Sequence, residues 1–283
     1  MLTLLHISDL HLGPPYLPHV GEAVLRSAPR LRPDAIVVSG DLTQRAKAVQ
    51  FEQAREFLRR LPDVPKVVVP GNHDVPLYRV AERLLTPHAL FRKYIQEDLC
   101  SICRLDGALI VALDSTAPRT AISNGRLGKA ELAFCEAACG GAGEDCIKIV
   151  VAHHHFVPAP DFQRDRTMPK ARRAINRFVD LGVELILGGH LHRSYIGNSL
   201  DVYPGDHRAR GIVIAQCGTT TSRRGRGRER EKNTFNLINI GDEMLRITHY
   251  MYFDALGEFA PVSRHLFPRP GRTFVEGTLH HAD

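Results

Sequence analysis

The chain has 283 residues, 43% of them apolar, which suffices for a large buried core in one domain or at most two. Charged residues make up 24% and the net charge is +6, an ordinary globular balance tilted toward anionic partners such as a phosphate, a nucleic acid or a membrane surface. No apolar run reaches the ~18 residues of a membrane-spanning helix, and the opening Met1-Leu2-Thr3-Leu4-Leu5-His6-Ile7-Ser8-Asp9 lacks the basic start and cleavage site of a signal peptide, so the expectation is a cytoplasmic protein with no transmembrane segment.

Short runs rich in Val and Ile recur at residues 2–7, 35–38, 66–69, 109–113, 147–152, 184–187 and 211–215, and read as strands. Between them lie windows with helical spacing. In 44–61 the residues Phe51, Ala54, Leu58 and Leu61 share a face; 124–139 is a second window; in 168–181 Ala171, Ala174, Ile175 and Phe178 share a face, with Pro169 suited to the first turn. The alternation predicts an α/β protein built on βαβ units. Asp106-Gly107 and Gly241-Asp242 each sit between two strand-like runs and predict antiparallel hairpins, so the sheets are expected to be mixed and the C-terminal part mostly β. Residues 1–266 read as a single domain and 267–283 as a surface tail.

Of the six Cys, Cys100 and Cys103 form a CxxC on a strand-like run, where residues three apart point to opposite faces and do not grip one ion. Cys135 and Cys139 fall one helical turn apart and read as core packing. The fifteen His say more, because imidazole is the commonest metal ligand and the usual acid or base at neutral pH.

Polar residues gather where apolar runs end. Leu4-Leu5-His6-Ile7-Ser8 leads into Asp9-Leu10-His11, Ile36-Val37-Val38-Ser39-Gly40 into Asp41, and Val67-Val68-Val69-Pro70 into Gly71-Asn72-His73-Asp74. Ile149-Val150-Val151-Ala152 leads into His153-His154-His155, and Leu185-Ile186-Leu187-Gly188-Gly189 into His190-Leu191-His192. The carboxyl edge of an open α/β sheet is where ligands bind. If the chain stays extended through Asp9-x-His11 and His190-x-His192, alternate residues point the same way with Cα atoms roughly 7 Å apart, close enough to share one ion or two adjacent ones. Imidazole with carboxylate suits Zn, Fe or Mn rather than Ca, and a carboxylate can bridge two ions about 3.5–4 Å apart, the clamp used for in-line displacement at phosphorus.

Asp9-x-His11, Gly40-Asp41, Gly71-Asn72-His73-Asp74, the His153–His155 cluster and Gly189-His190-x-His192 resemble the ordered motif set of the calcineurin-like metallophosphoesterases, over residues 1–194. Within that superfamily, the size and the Ser-Asp-Leu-His-Leu opening are similar to bacterial class III cyclic-nucleotide phosphodiesterases. The resemblance implies a four-layer αββα sandwich, two mixed β-sheets flanked by helices, and a single metallophosphoesterase domain. It implies two divalent transition-metal ions, Mn, Fe or Zn: one held by Asp9, His11, Asp41 and His192, the other by Asp41, Asn72, His190 and one His of the cluster. His154 is taken as that ligand, with His153 the alternative. The family usually has His-x-Pro here, whereas Phe156 and Val157 precede Pro158 in this chain.

By the same resemblance His73 acts as general acid or transition-state stabiliser, with Asp74 able to orient it. A water bridging the ions would ionise near neutral pH and supply the attacking hydroxide. The expected activity is hydrolysis of cyclic nucleotides or other small phosphodiesters. The alternatives are a phosphomonoesterase, a nuclease, a lipid-linked pyrophosphatase and a non-catalytic scaffold. Arg223, Arg224, Arg226, Arg228 and Arg230 among glycines read as a cationic loop: a solvated surface segment, a grip on nucleic-acid phosphates, or a cover over a nucleotide substrate; Arg164, Arg166 and Lys170 lie just after the His cluster. A homodimer is left open.

Overall fold

The computed structural model describes residues 1–269 apart from 121–122, 144, 161–165, 204–210, 228–229 and 231. The chain begins with β1 (Leu2–Ile7), α1 (Pro18–Leu31), β2 (Ala35–Val38), α2 (Ala48–Arg60) and β3 (Lys66–Val68), followed by a 3-10 turn at Asn72–Asp74 and the short helices α3 (Val80–Leu85) and α4 (Ala89–Tyr94). The second half runs β4 (Ser101–Leu105), β5 (Ala108–Ala112), α5 (Lys129–Gly140), β6 (Ile147–Val151), α6 (Ala171–Asp180), β7 (Val183–Gly188), β8 (Tyr195–Asn198) and β9 (Val213–Gln216). It closes with β10 (Thr234–Ile240), β11 (Met244–Phe253) and β12 (Glu258–Pro268).

Two six-stranded sheets result. One has the order β12-β11-β10-β1-β2-β3, the other β4-β5-β6-β7-β9-β8. In the first, β1, β2 and β3 are parallel while β10, β11 and β12 continue it antiparallel. In the second, β5, β6, β7 and β9 are parallel and the edge strands β4 and β8 antiparallel. Both predicted hairpins are present, pairing Leu105 with Ala108 and Ile240 with Leu245.

Strand alternation sets the layers. Leu4, Val37, Ile149 and Leu187 pack between the sheets. Leu5 and Ile7 point the other way, against Val20, Val24, Phe51 and Phe57 of α1 and α2. Leu109, Val150 and Ile186 turn outward against Cys135, Cys139, Ile175 and Phe178 of α5 and α6. The fold is therefore the four-layer sandwich of two mixed sheets flanked by helices.

Three departures from the expected elements share a cause. α2, α5 and α6 begin at Ala48, Lys129 and Ala171, later than the windows starting at 44, 124 and 168. The intervening residues are held by site loops. Thr43 Oγ1 accepts from Ala46 N at 3.0 Å, Arg126 N donates to Ser115 O at 2.8 Å, and Met168 N donates to His155 O at 3.1 Å. At the C-terminal end, Phe267 pairs with Leu245 in β12 and packs on the inter-sheet core, so the residues expected to begin a surface tail belong to the sheet. Arg269 follows, its Nε and NH2 donating to the two Glu184 oxygens at 2.8 Å each and clasping one sheet to the other. Residues 270–283 of the expected tail lie outside the described residues. Among the described residues no helix is long and apolar enough to cross a membrane.

Candidate metal centre

The carboxyl ends of β1, β2, β3, β6 and β7 meet at one place, but not through extended backbone. Asp9, His11, Asp41, His190 and His192 have φ of 53°, 50°, 52°, 75° and 55°, all left-handed. That corrects the extended Asp-x-His and His-x-His geometry expected from spacing. Each such residue costs of order 1–3 kcal/mol and persists only where neighbours impose it. Here they do, because Asp9 N donates to Gly40 O at 3.0 Å and His11 N to Asp41 O at 2.9 Å, so the loops after β1 and β2 stay paired beyond the strands. Gly71 is required in the third loop: a Cβ there would overlap the Asp41 carboxylate and backbone.

Two groups of donors face each other. Asp9, His11, Asp41 and His192 form the first, with ligand atoms all within 4.8 Å of one another. His11 Nε2 lies 2.9 Å from His192 Nε2 and 3.6 Å from Asp41 Oδ2, and His192 Nε2 lies 3.1 Å from Asp9 Oδ1. His153, His154 and His190 form the second. Asn72 Oδ1 joins it, 2.9 Å from His190 Nδ1 and 3.2 Å from His153 Nε2, and Asp41 Oδ1 is 3.4 Å from His153 Nε2. Asp41 thus presents one oxygen to each group.

The donor set fits cations. Asp9 Oδ1, Asp41 Oδ2 and His154 Nε2 are buried with no hydrogen-bond partner, although buried polar atoms normally have one. The other atoms of these side chains are held from outside. Asp9 Oδ2 accepts from Ser8 Oγ at 2.7 Å and from His190 N at 3.0 Å, and Asp41 Oδ1 accepts from His73 N at 2.8 Å. His192 and His153 each donate Nδ1–H to a backbone carbonyl, Arg224 O at 3.0 Å and Ser39 O at 2.7 Å, which turns Nε2 inward. Such supporting bonds fix the tautomer and aim of metal-binding imidazoles. Of the neighbours, His154 Nδ1 meets Ser115 Oγ at 2.8 Å, and His155 stacks on His190.

Electrostatics agree with the geometry. Burial works to raise Asp9 and Asp41, but the surrounding imidazoles outweigh it and hold both well below the usual carboxylate range. Burial pushes His11 and His155 down to about 4, and takes His154 and His190 well below the ordinary histidine value. His153 is the exception: against its burial, Asp41 and then Asp9 raise it to about 9. Two buried carboxylates therefore face into the pocket and draw positive charge toward them.

His73 lies at this edge, its ring 4.8 Å from that of His11. Its Nδ1 donates to Gln44 O at 2.9 Å, so the Gln44 carbonyl orients the imidazole, not Asp74 as expected from their adjacency. Both Asp74 oxygens are committed elsewhere: Oδ1 accepts from Thr43 N at 2.8 Å, and Oδ2 accepts from Gly71 N at 2.9 Å and Leu42 N at 3.1 Å. Asp74 ties the second loop to the third.

A cleft of about 320 Å³ opens over the donors, lined by Asn72, His73, His190, Arg166, Arg224 and Arg226 among others. The Arg segment, read as a solvated surface loop or a grip on phosphates, leaves Arg223, Arg226 and Arg230 exposed, while its backbone and the hydroxyl run before it are tied to the centre. After β9, Thr219 Oγ1 donates to Asp9 O at 2.8 Å, Thr221 Oγ1 donates to Leu10 O at 2.9 Å, and Arg226 N donates to His192 O at 3.1 Å. Arg224 NH1 donates to Gln44 Oε1 at 3.0 Å. Motif spacing did not single out this hydroxyl run, although Thr219-Thr220-Thr221-Ser222 follows the carboxyl end of a parallel strand as the other site loops do. Arg164 and Arg228 lie outside the described residues.

Fold and centre together define a class. Residues 2–194 match the family model of the calcineurin-like phosphoesterases, and the chain belongs to that family of metal-dependent phosphoester hydrolases. It is 26% identical over 262 residues to a cAMP/cGMP dual specificity phosphodiesterase of Mycobacterium tuberculosis, a match covering 84% of this chain and 76% of that protein. It is 28% identical over 219 residues to a probable cyclic nucleotide phosphodiesterase of Synechococcus, covering 72% of this chain and 79% of that one. Among solved structures, a purple acid phosphatase from yellow lupin seeds shares the fold with a TM-score of 0.70 at 10% identity, over 95% of this chain and 54% of the lupin chain.

Proposed function

We propose that this protein is a dinuclear phosphodiesterase acting on cyclic nucleotides or other small phosphodiesters. The observation that carries the reading is Asp41, whose two oxygens face separate groups of metal-type donors, with Asp41 Oδ2 and Asp9 Oδ1 buried and unpartnered. Asp9, His11, Asp41 and His192 would hold one divalent ion, and Asp41, Asn72, His190 and His153 the other. His153 is preferred to His154 because its Nε2 points at Asn72 Oδ1 and Asp41 Oδ1, with Nδ1 anchored on Ser39 O. Imidazole with carboxylate favours Mn, Fe or Zn. Ions bound there supply Lewis acidity toward phosphoryl oxygens and lower the pKa of water.

The chain's own groups do the rest. Arg224, braced by Gln44, and Arg226 bind the non-bridging phosphoryl oxygens from the cleft wall. His73, its Nδ1–H given to the Gln44 carbonyl, turns Nε2 to the leaving group; in the imidazolium form Nε2 carries the proton that passes to the departing alkoxide, leaving the neutral ring. The names of the two phosphodiesterase relatives support diester over monoester. The metal-supplemented protein, given bis-p-nitrophenyl phosphate, p-nitrophenyl phosphate and cyclic AMP in parallel, should prefer the diesters. Preference for the monoester would overturn the substrate assignment, and inactivity with Mn, Fe and Zn alike would overturn the enzyme.

A further inference from the structure

The two chain segments that wall the cleft continue past it. On one side Ser123 and Asn124 line the cleft, and Arg126 and Lys129 follow them into a small cavity of about 70 Å³. On the other, Arg166 lines the cleft, and Lys170 and Arg173 enter the same cavity. That cavity shares Lys129, Leu132, Lys170 and Arg173 with a groove of about 670 Å³ between α5 and α6. Both walls are tied to the centre. Gly125, at φ 65°, is packed so closely on the His154 ring that no Cβ fits, and Met168 N is bonded to His155 O.

At the end of the groove nearest the cleft the charged lining residues are cations alone, while Glu136 and Asp180 stand at the far end. Arg126, Lys129, Lys170, Arg172 and Arg173 are exposed, and none pairs with a carboxylate among the described residues. Glu131, close by, is spent on Gly128 N at 2.8 Å. The acids of the far end, Glu136 and Asp180, meet Arg177. A cyclic nucleotide carries one phosphate, for which the cleft already offers Arg166, Arg224 and Arg226, so it brings no charge to match this second run of cations. A polyanion does, since each phosphate neutralised by a cation releases a condensed counterion.

We propose that this groove binds the flanking phosphates of a linear nucleotide chain, a single-stranded oligonucleotide whose scissile phosphate occupies the cleft. The proposal rests on the phosphodiesterase reading and extends its substrate class. The floor of the groove is aliphatic, from Leu132, Ala133 and Leu127, with no aromatic side chain in its lining. Binding is therefore electrostatic, indifferent to base and steeply salt-dependent.

The test is fluorescence anisotropy of a short labelled thymidine oligonucleotide across a salt series, with wild-type protein and the Lys129→Gln/Arg173→Gln variant. Hydrolysis of the same oligonucleotide and of bis-p-nitrophenyl phosphate is measured alongside. The variant is expected to bind about tenfold more weakly at low salt. Two lost contacts at about 0.7 each should also flatten its log–log salt slope by about 1.4. The ratio of kcat/KM for oligonucleotide over diester should fall about tenfold. Affinity and slope equal to wild type would overturn the proposal, as would preference for anionic phospholipid vesicles over the oligonucleotide. Failure of the phosphodiesterase reading looks different: salt-dependent binding that responds to the variant, with neither substrate hydrolysed.

Discussion

His73 shows how much hangs on a single ring nitrogen. Its Nδ1 is fixed by a backbone carbonyl, so replacing it removes an acid without removing a ligand. His73→Ala should retain both ions by elemental analysis while kcat on a diester falls by roughly 10²–10⁴; undiminished turnover would remove the role. The His153–His155 cluster separates in the same manner. His153→Ala should lose the second ion, whereas His154→Ala, which removes a ring anchored on Ser115, should weaken it by about 10–100-fold at most. Metal titration of the two variants decides between them, and the reverse order would hand the ligand to His154. The candidate donors were legible in the sequence as a set, because Asp, Asn and His recur together where five separate apolar runs end. What spacing could not supply is the aim of each ring. That is set by carbonyls of Ser39, Gln44 and Arg224, and every residue type carries a carbonyl.

At the scale of elements, strands were the readable part. A run such as Ile36-Val37-Val38, buried on both faces, has few other places to go. Helix starts were read too early because apolar spacing runs on through residues that the site loops hold, such as Gln44, whose carbonyl anchors His73. Helix α1 was missed altogether: Gly21 and Pro29 interrupt its pattern, yet Pro18 opens it and Val20, Ala23, Val24 and Ala28 bury one face. The loop after β5 carries a cost that can be measured. Asp114 is mostly enclosed there, its side chain 12% exposed, with Oδ1 accepting from Thr116 N at 2.8 Å and from Thr116 Oγ1 at 2.7 Å. Burial pushes its carboxyl up to about 6, and also pushes the neighbouring His88 down to about 4, so a neutral imidazole does not offset the charge. With the folded pKa above the unfolded one, stability is fully present below about pH 4 and is lost as pH rises through 6. The loss is on the order of 3 kcal/mol at neutral pH. Asp114→Asn keeps the acceptor for Thr116 and should raise Tm at pH 7 but not at pH 4. An equal shift at both would show that the charge is not the cause.

The whole molecule is organised so that neither sheet owns the centre. The first sheet delivers Asp9, His11, Asp41 and Asn72, the second His153, His190 and His192, and the contacts between the two sets exist only while the sheets stay face to face. The Arg269–Glu184 clasp closes the sandwich through another pair of strands. The left-handed backbone at Asp9, His11, Asp41, His190 and His192 has a consequence for how such a protein changes over time. At ordinary positions glycine loosens a fold relative to alanine by roughly 0.5–1 kcal/mol. Here the order should invert, because alanine in this conformation costs about 1–2 kcal/mol that glycine escapes. His11→Gly is expected to unfold at higher denaturant than His11→Ala, both measured with chelator, and the opposite order would mean that the bend is not imposed. Mutation and selection acting on robustness alone would then drift toward glycine at these positions, eroding the grip on cations while the scaffold grew sturdier.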